Sequence, residues 1–326
     1  MNDEAEIPPL REVSPFFNVN HGDLILRTSD NTELHVDLHA VAFSSPLLAA
    51  KLLSLPPTSL HSTKPTQDVD GTSDVWDLLL PIIHHTYKQA PDIDAMAGLL
   101  QTAGTYQMTG ILRLLGDLLA AADFVEQQPL KVYALACTHG FDRAARLAAR
   151  RTLRLPMHLG YVPELGALTG SAYHHLLEYR KECTVAAQAV LNWQIYNSPP
   201  AWFDSRSDMS ESKAELARFL ESTANNHSGI NVSPSGAVTR NGIITRQYTI
   251  KAEHCWRVAM ENLARELEAQ PDPVEILTPS FLKPLLLYAQ AAKNTLHVVE
   301  AAHGLSKIIR EQLDEAIAKV TLKMET

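Results

Sequence analysis

The fold is decided by residues 23–48, DLILRTSDNTELHVDLHAVAFSSPLL. Residues 23–28 form an apolar run that is typical of a strand, and residues 29–31 (Ser-Asp-Asn) supply turn chemistry. Leu34 and Val36 then alternate with polar neighbours, as a half-buried strand requires. The stretch therefore predicts two strands joined as a hairpin.

A helix is predicted immediately after this hairpin. The Ser45 side chain can accept hydrogen bonds from the first exposed amides of a helix, and Pro46 fits the first helical turn. Leucines follow at a spacing that places them on one helical face, namely Leu48, Leu52 and Leu55. Residues 56–57, two prolines, end this helix.

Further helices are expected up to about residue 125. Ser73 is the predicted cap of a helix that contains Pro81, and an interior proline predicts a bend near residues 77–81. Asp94 is the predicted cap of a helix ending near Met108. Another helix is expected from about Thr109 to Val125.

The order of these patterns resembles a known domain. DLILRTSDN, an extended pair, SSPLL and then LLQTAGTYQM (residues 99–108) together resemble a BTB/POZ fold, a protein-interaction domain. The segments VYALACTHGFDRAARLAARRTL (132–153) and YHHLLEYRKEC (173–183) are similar to the helical part that follows BTB in a group of basidiomycete-type fungal proteins. The resemblance implies an α+β fold, with a small sheet covered by helices and a mostly α-helical region after it.

The chain divides into five expected regions. These are a flexible tail (1–20), a BTB/POZ-like domain (21–125), a helical extension (126–195), a loop-rich insert (196–250) and a C-terminal helical region (251–326). For the insert, two alternatives stay open. Ala237–Arg240 and Ile243–Ile250 form two strands around the Asn241-Gly242 turn, or the insert is disordered.

Composition narrows the class of protein. Acidic residues (37) outnumber basic ones (28), giving a net charge of −9, which disfavours nonspecific nucleic-acid binding. We expect no membrane segment, because apolar runs are short, and residues 1–10 lack the features of a secretory signal. The three cysteines do not form a disulfide framework, so we expect an intracellular protein, cytoplasmic or nuclear.

No motif typical of catalysis or of phosphate binding is found, so we expect a non-enzymatic protein. The BTB/POZ resemblance implies that it is an interaction module or scaffold that binds other proteins. Candidate protein-binding residues are Leu47, Leu48 and Pro81, as apolar surface left over after core formation. Trp202 and Phe203, an aromatic pair in a polar loop, either dock back on the protein or contact a partner. Possible self-association through the BTB-like domain stays open.

A stripe of arginines recurs every three or four residues at Arg143, Arg146, Arg150 and Arg154. It is expected to be the solvated face of an amphipathic helix. The alternatives are that it contacts an acidic patch on a partner protein or the phosphates of a nucleic acid.

The resemblance also implies two alternative functions. At several positions, however, this chain departs from the pattern of the proteins it resembles. BTB proteins serve as substrate adaptors of cullin-type ubiquitin ligases, and others recruit transcriptional corepressors. Cullin adaptors often carry an apolar-x-Glu motif after the third helix, whereas residues 87–93 here contain no Glu. The family usually has a His-Lys pair where this chain has Asp37-Leu38.

Relatives often carry paired cysteines that suggest a zinc ribbon, but Cys183 and Cys255 stand alone. A structural zinc needs four ligands. We therefore expect neither metal nor cofactor in this chain.

Overall fold

A computed structural model describes residues 12–13, 16–18, 20, 22–54, 64–88, 90–156, 158–191, 230–232, 248–250, 252–292 and 295–324. The chain folds into two compact units. The first contains Met1–Ala148 and Val162–Leu168, and the second contains Ala149–Tyr161 and Thr169–Thr326. The boundary at Ala148 falls inside a helix, and the domain limits expected at 125, 195 and 250 stay predictions.

The first unit contains a small mixed sheet. Its strands are β1 (Glu12–Val13), β2 (Leu24–Arg27), β3 (Thr32–Val36) and β4 (Thr66–Asp68), arranged in the order β1-β3-β2-β4. Strands β2 and β3 are antiparallel, and β1 and β4 pair in parallel with β3 and β2. The predicted hairpin is confirmed.

The hairpin follows the alternation in the sequence. Leu24, Leu26, Leu34 and Val36 are buried on one face of the strand pair. The turn closes through the Thr28 amide, which donates to the Thr32 carbonyl at 3.1 Å. Asn31 takes φ +62°, a conformation that asparagine tolerates.

Among the described residues up to 168 there are also eight helices and one 3-10 turn, and strand β4 falls between the second and third of these helices. They are α1 (Leu38–Ser44), α2 (Pro46–Leu53), α3 (Ser73–Ile83), α4 (Ile93–Thr105), α5 (Thr109–Leu119), α6 (Ala122–Gln127), α7 (Pro129–Thr138), α8 (Asp142–Thr152) and the turn Pro163–Ala167. The predicted start of α2 is confirmed, because the Ser45 hydroxyl accepts from the Leu48 amide at 3.1 Å.

Three details of these helices differ from the predictions. The helix expected from Thr109 to Val125 is broken between α5 and α6, because Ala121 has extended backbone angles of −65° and 145°. Asp94 is not a cap: Asp92 holds the N-cap position of α4, and the Asp94 carboxylate instead contacts Lys131. Helix α4 ends at Thr105 because the chain turns at Gln107, which has φ +53°.

The second unit contains the helices α9 (Gly170–Val190), α10 (Ala252–Ala269), α11 (Pro279–Ala292) and α12 (Thr295–Ala318). Helix α9 packs on α10 and α12, and α11 packs on the same two helices. Their inward faces form a core, which includes Leu176, Ala187, Trp256, Met260, Leu263, Leu267, Phe281, Leu285, Leu305, Ile309, Leu313 and Ile317.

A short ribbon, β5 (Ile230–Val232) paired antiparallel with β6 (Tyr248–Ile250), belongs to the second unit and contacts α11. Strand β6 falls within the predicted strand Ile243–Ile250. Its partner lies upstream of the predicted strand Ala237–Arg240, which, like the Asn241-Gly242 turn, lies outside the described residues. The α+β class is confirmed in its broad form, and no helix in the described ranges is long and apolar enough to cross a bilayer.

Candidate functional site

An apolar surface on α1 and α2 is the strongest candidate site of the first unit. We call it the α1–α2 surface and define it by Phe43, Pro46, Leu47, Ala50 and Leu53. Phe43 is 93% exposed and Leu53 is 89% exposed. Pro46, Ala50 and Leu53 recur at helical spacing on the outward side of α2, and Leu47 is half-buried beside them.

Polar side chains at the helix ends fix the position of this surface. The Asp37 carboxylate accepts from the Ala40 amide at 2.8 Å and caps α1, and Asp23 accepts from the Leu38 amide at 2.9 Å. The Asp37-Leu38 pair therefore starts a helix. Ser45 separates α1 from α2, and its hydroxyl donates to the Tyr106 carbonyl at 2.6 Å.

The α1–α2 surface carries little charge. Lys51 is the only ionisable residue of α2, and its ammonium lies 5.5 Å from the centre of the Tyr106 ring. This cation–π contact draws the lysine toward the aromatic ring. A surface of this kind favours apolar contacts over ion pairs with whatever binds it.

The candidate residues from the sequence fall in different places. Leu48 is fully buried, so its side chain belongs to the core and offers no contact surface. Leu47 borders the α1–α2 surface, and Pro81 is half-buried within α3. Trp202 and Phe203 lie outside the described residues.

Phe43 and Leu53 were missed by the sequence analysis, although a signal for each is present. Phe43 lies two residues before the Ser45-Pro46 helix start, and Leu53 lies seven residues after Pro46. An apolar residue at that spacing predicts a face opposite Leu48. The sequence pattern does not say that this second face stays uncovered.

A smaller cleft of about 360 Å³ lies elsewhere on the first unit, where the loop after α3 meets α5 and α6. The lining is apolar except for two carboxylates, and it consists of Ala90, Pro91, Asp92, Leu118, Ala121, Asp123 and Phe124. This loop is the one in which the resemblance places a cullin-binding motif, and that function stays a prediction.

Buried ionisable groups in both units serve packing. In the first unit, Lys131 contacts Asp94 and Glu164, and the ammonium lies 3.0 Å from the Glu164 carboxylate. Burial opposes the charge on Lys131, but the hydrogen bonds to these carboxylates raise its pKa overall. The lysine is therefore held as a cation that fastens the 3-10 turn to α7, and it is not poised as a nucleophile.

In the second unit, Arg180 is fully buried and caps the carboxyl end of α8. Its guanidinium donates to the carbonyls of Thr152, Leu155 (3.0 Å) and Pro156 (2.8 Å). Burial lowers the pKa of Arg180. The partial negative charge of a helix end compensates part of that cost, so we assign this arginine a structural role.

The thiols of the second unit are also part of the core. Burial raises the pKa of Cys183 to about 11, and burial raises the pKa of Cys255 as well. A thiol with a raised pKa is a poor nucleophile and a poor metal ligand. Within the described ranges, no three His, Cys, Asp or Glu side chains are grouped to hold a metal ion.

The geometry thus offers an apolar contact surface, and the ionisable groups described above are engaged in packing. A scan against models of known protein families finds no match, and a search of curated proteins finds none either.

Proposed function

We propose that the chain is a non-enzymatic, BTB/POZ-like protein-interaction module that binds polypeptides on its α1–α2 surface. The observation that carries this proposal is the exposure of Phe43 (93%) and Leu53 (89%) on adjoining helices of a well-packed unit. Large apolar side chains exposed together mark interaction sites.

The energetics favour such a site. Burying a Phe or Leu side chain that was exposed is worth about 1.5–3 kcal/mol. A few residues supply most of the energy at protein interfaces, so two anchors of this kind can contribute a large share of the binding free energy. Lys51 is the one charged residue of α2, so we expect this surface to suit a partner segment with mainly apolar side chains.

The arrangement of the first unit supports the BTB/POZ-like part of the proposal. A strand pair is followed by two helices, a third strand and further helices within residues 24–119. This order agrees with the small sheet covered by helices that the resemblance implies. Ser45 and Pro46, which belong to the SSPLL motif, form the junction that exposes Phe43 and Leu53 on either side.

The test compares binding by the 326-residue chain and two variants of it. Phe43→Asp/Leu53→Asp places charges on the α1–α2 surface, and Leu147→Asp, another exposed apolar residue, is the matched control. Affinity purification with quantitative mass spectrometry should show partners enriched by the wild type and by Leu147→Asp. We expect about a tenfold or greater loss with the double variant, the scale of a hot-spot residue.

Circular dichroism would establish that all three proteins are folded. If the double variant retained every partner of the wild type, the α1–α2 surface would not be the binding site. If no protein were reproducibly enriched by the wild type, the interaction function itself would be wrong.

A further inference from the structure

Residues 162–168 form a surface segment of the first unit that few contacts hold in place. They contain the 3-10 turn Pro163–Ala167 and pack on α7, whereas the chain on both sides of them belongs to the second unit. We call these residues the strap. Val162, Leu165 and Leu168 recur every third residue, which places them on one side of a 3-10 turn, but all three are only half-buried. No residue of the strap is fully buried, so the hydrophobic contribution to its docking is limited.

The backbone of the strap is hydrogen-bonded only to itself. The Leu165 amide donates to the Val162 carbonyl at 3.1 Å, and the Leu168 amide donates to the Leu165 carbonyl at 3.2 Å. Among the residues that the structure describes, the strap has no backbone hydrogen bond to another element, and no side chain caps the 3-10 turn. A segment of this kind opens at a lower free-energy cost than the helix on which it packs.

One ion pair joins the strap to α7. The Glu164 carboxylate lies 3.0 Å from the Lys131 ammonium, and the two side chains are 10% and 9% exposed. Removing one partner of an ion pair that is shielded from water leaves a charge with a high desolvation cost. Asp94 also contacts Lys131, but this aspartate belongs to α4 and its side chain is 73% exposed. Glu164 is therefore the anchor that the strap itself supplies.

The hydrogen bonding of this anchor is incomplete. The Oε2 atom of Glu164 is buried and has no hydrogen-bond donor among the described residues. A buried acceptor without a donor costs free energy, which the open strap recovers because water reaches the carboxylate. The closed strap is thus held by one strong contact and opposed by one unsatisfied atom. A small balance between such opposing contributions is what a segment with two populated states requires.

We propose that the strap is a latch, which opens and closes on α7 through the Lys131–Glu164 ion pair while the rest of the first unit stays folded. Opening brings Glu164 into water and leaves Lys131 with Asp94. It also exposes the apolar side of the strap and the part of α7 beneath it. The open state therefore presents apolar surface that the closed state covers. The latch uses none of the residues of the α1–α2 surface and does not depend on the proposed function.

Chymotrypsin tests the latch on the 326-residue chain, because Tyr161 directly precedes the strap and is 79% exposed. A protease binds extended chain on both sides of the bond that it cuts, which the closed strap prevents. When reclosing is faster than cleavage, the cleavage rate follows the population of the open state. Lys131→Met leaves the Glu164 carboxylate buried without its cation, so cleavage after Tyr161 should rise about tenfold or more. Hydrogen exchange of the Leu165 and Leu168 amides should rise with it, while exchange in α4 and α5 stays unchanged.

The double variant Lys131→Met/Glu164→Met separates a latch from general damage to the fold. Apolar side chains of similar size replace a buried ion pair at little cost, so this variant should be cleaved within about fivefold of the wild-type rate. Asp94→Asn, which alters the exposed partner of Lys131, is the matched control and should also stay within about fivefold. Glu164→Gln changes the strap and no core residue. It should raise cleavage as well, and it decides the question if Lys131→Met does not fold.

Three results would overturn the proposal. The first is cleavage of Lys131→Met and Glu164→Gln at the wild-type rate. The second is a double variant that is cleaved as fast as Lys131→Met, because opening would then not depend on the unpaired charge. The third is hydrogen exchange that rises equally throughout the first unit, which would show that the strap does not open by itself.

Discussion

At the scale of single residues, Asp30 shows how one side chain joins distant parts of the first unit. It lies in the β2–β3 turn, and its carboxylate accepts from the Ser73 hydroxyl at 2.6 Å and from the Ser73 amide at 3.1 Å. The Thr28 hydroxyl also donates to it. The predicted cap of α3, Ser73, is therefore a donor to Asp30, and Asp30 itself satisfies the first amide of that helix.

The stabilisation by Asp30 should depend on pH. Partial burial opposes ionisation, but the hydrogen bonds from Ser73 and Thr28 lower the pKa of Asp30 below its ordinary 3.8. A carboxyl with a lowered folded-state pKa stabilises the fold at pH values above its unfolded pKa, and this stabilisation is lost as the pH falls through the folded-state pKa. We expect Asp30→Ala to cost about 1–2 kcal/mol of unfolding free energy at pH 7.

Urea denaturation at pH 7 and at low pH would measure this difference. The gap between the wild type and Asp30→Ala should shrink in acid, while Asp117→Ala, which removes an exposed carboxylate 3.9 Å from Arg143, should change stability by less than about 1 kcal/mol. A difference in unfolding free energy between the wild type and Asp30→Ala that does not shrink as the pH falls would contradict the role given to the Asp30 carboxylate.

At the scale of helices and loops, the arginine stripe at residues 143–154 divides in two. Arg143 is exposed and lies 3.9 Å from the exposed carboxylate of Asp117. Arg150 and Arg154 turn toward Asp272, a nearly fully buried carboxylate in the loop before α11. Arg310 of α12 donates to the same carboxylate at 2.7 Å. Three cations thus meet one anion, and Arg150 also contacts Asp314 at 2.8 Å. The carboxyl-terminal half of the stripe is a structural element of the second unit rather than a free solvated face.

Asp272→Asn should destabilise the second unit. Removing the charge leaves Arg150, Arg154 and Arg310 facing one another without their shared anion. We expect a loss of about 2–4 kcal/mol in unfolding free energy, below the full cost of breaking a buried pair because the arginines are partly exposed. Asp314→Asn, whose side chain is 54% exposed, is the matched control and should cost less than about 1 kcal/mol. Equal losses in chemical denaturation would show that Asp272 is not the central anion.

At the same scale, a proline inside a helix is tolerated because a neighbouring side chain replaces the hydrogen bond that the proline cannot donate. Pro284 lies within α11 and has no amide to donate to the carbonyl four residues earlier, that of Ser280. The Asn262 side chain donates to this carbonyl at 2.8 Å instead. An asparagine of α10 thereby lets α11 run through its proline and keep Leu286 and Leu287 on one outward face.

At the scale of the whole molecule, each unit has its own hydrophobic core. The net charge of −9 adds a general repulsion between copies of the chain. The α1–α2 surface lies on the first unit, and in our proposal it binds another protein.

The sequence by itself determined the local elements of this protein. Alternating apolar residues gave the β2–β3 hairpin, Ser45-Pro46 gave the start of α2, and helical spacing placed Leu48 among residues that share one face. These features depend on neighbours within a few positions, so their chemistry can be read without the rest of the fold.

Tertiary structure alone decided which faces are covered and which charges meet. Leu48 is buried in the core, whereas Phe43 and Leu53 are exposed. Asp94 pairs with Lys131. Asp272 contacts three arginines, including Arg310. Each outcome depends on residues far apart in the chain, whose distances are set only when the elements pack. Periodicity identifies an apolar face, but only packing determines whether another part of the molecule remains to cover it.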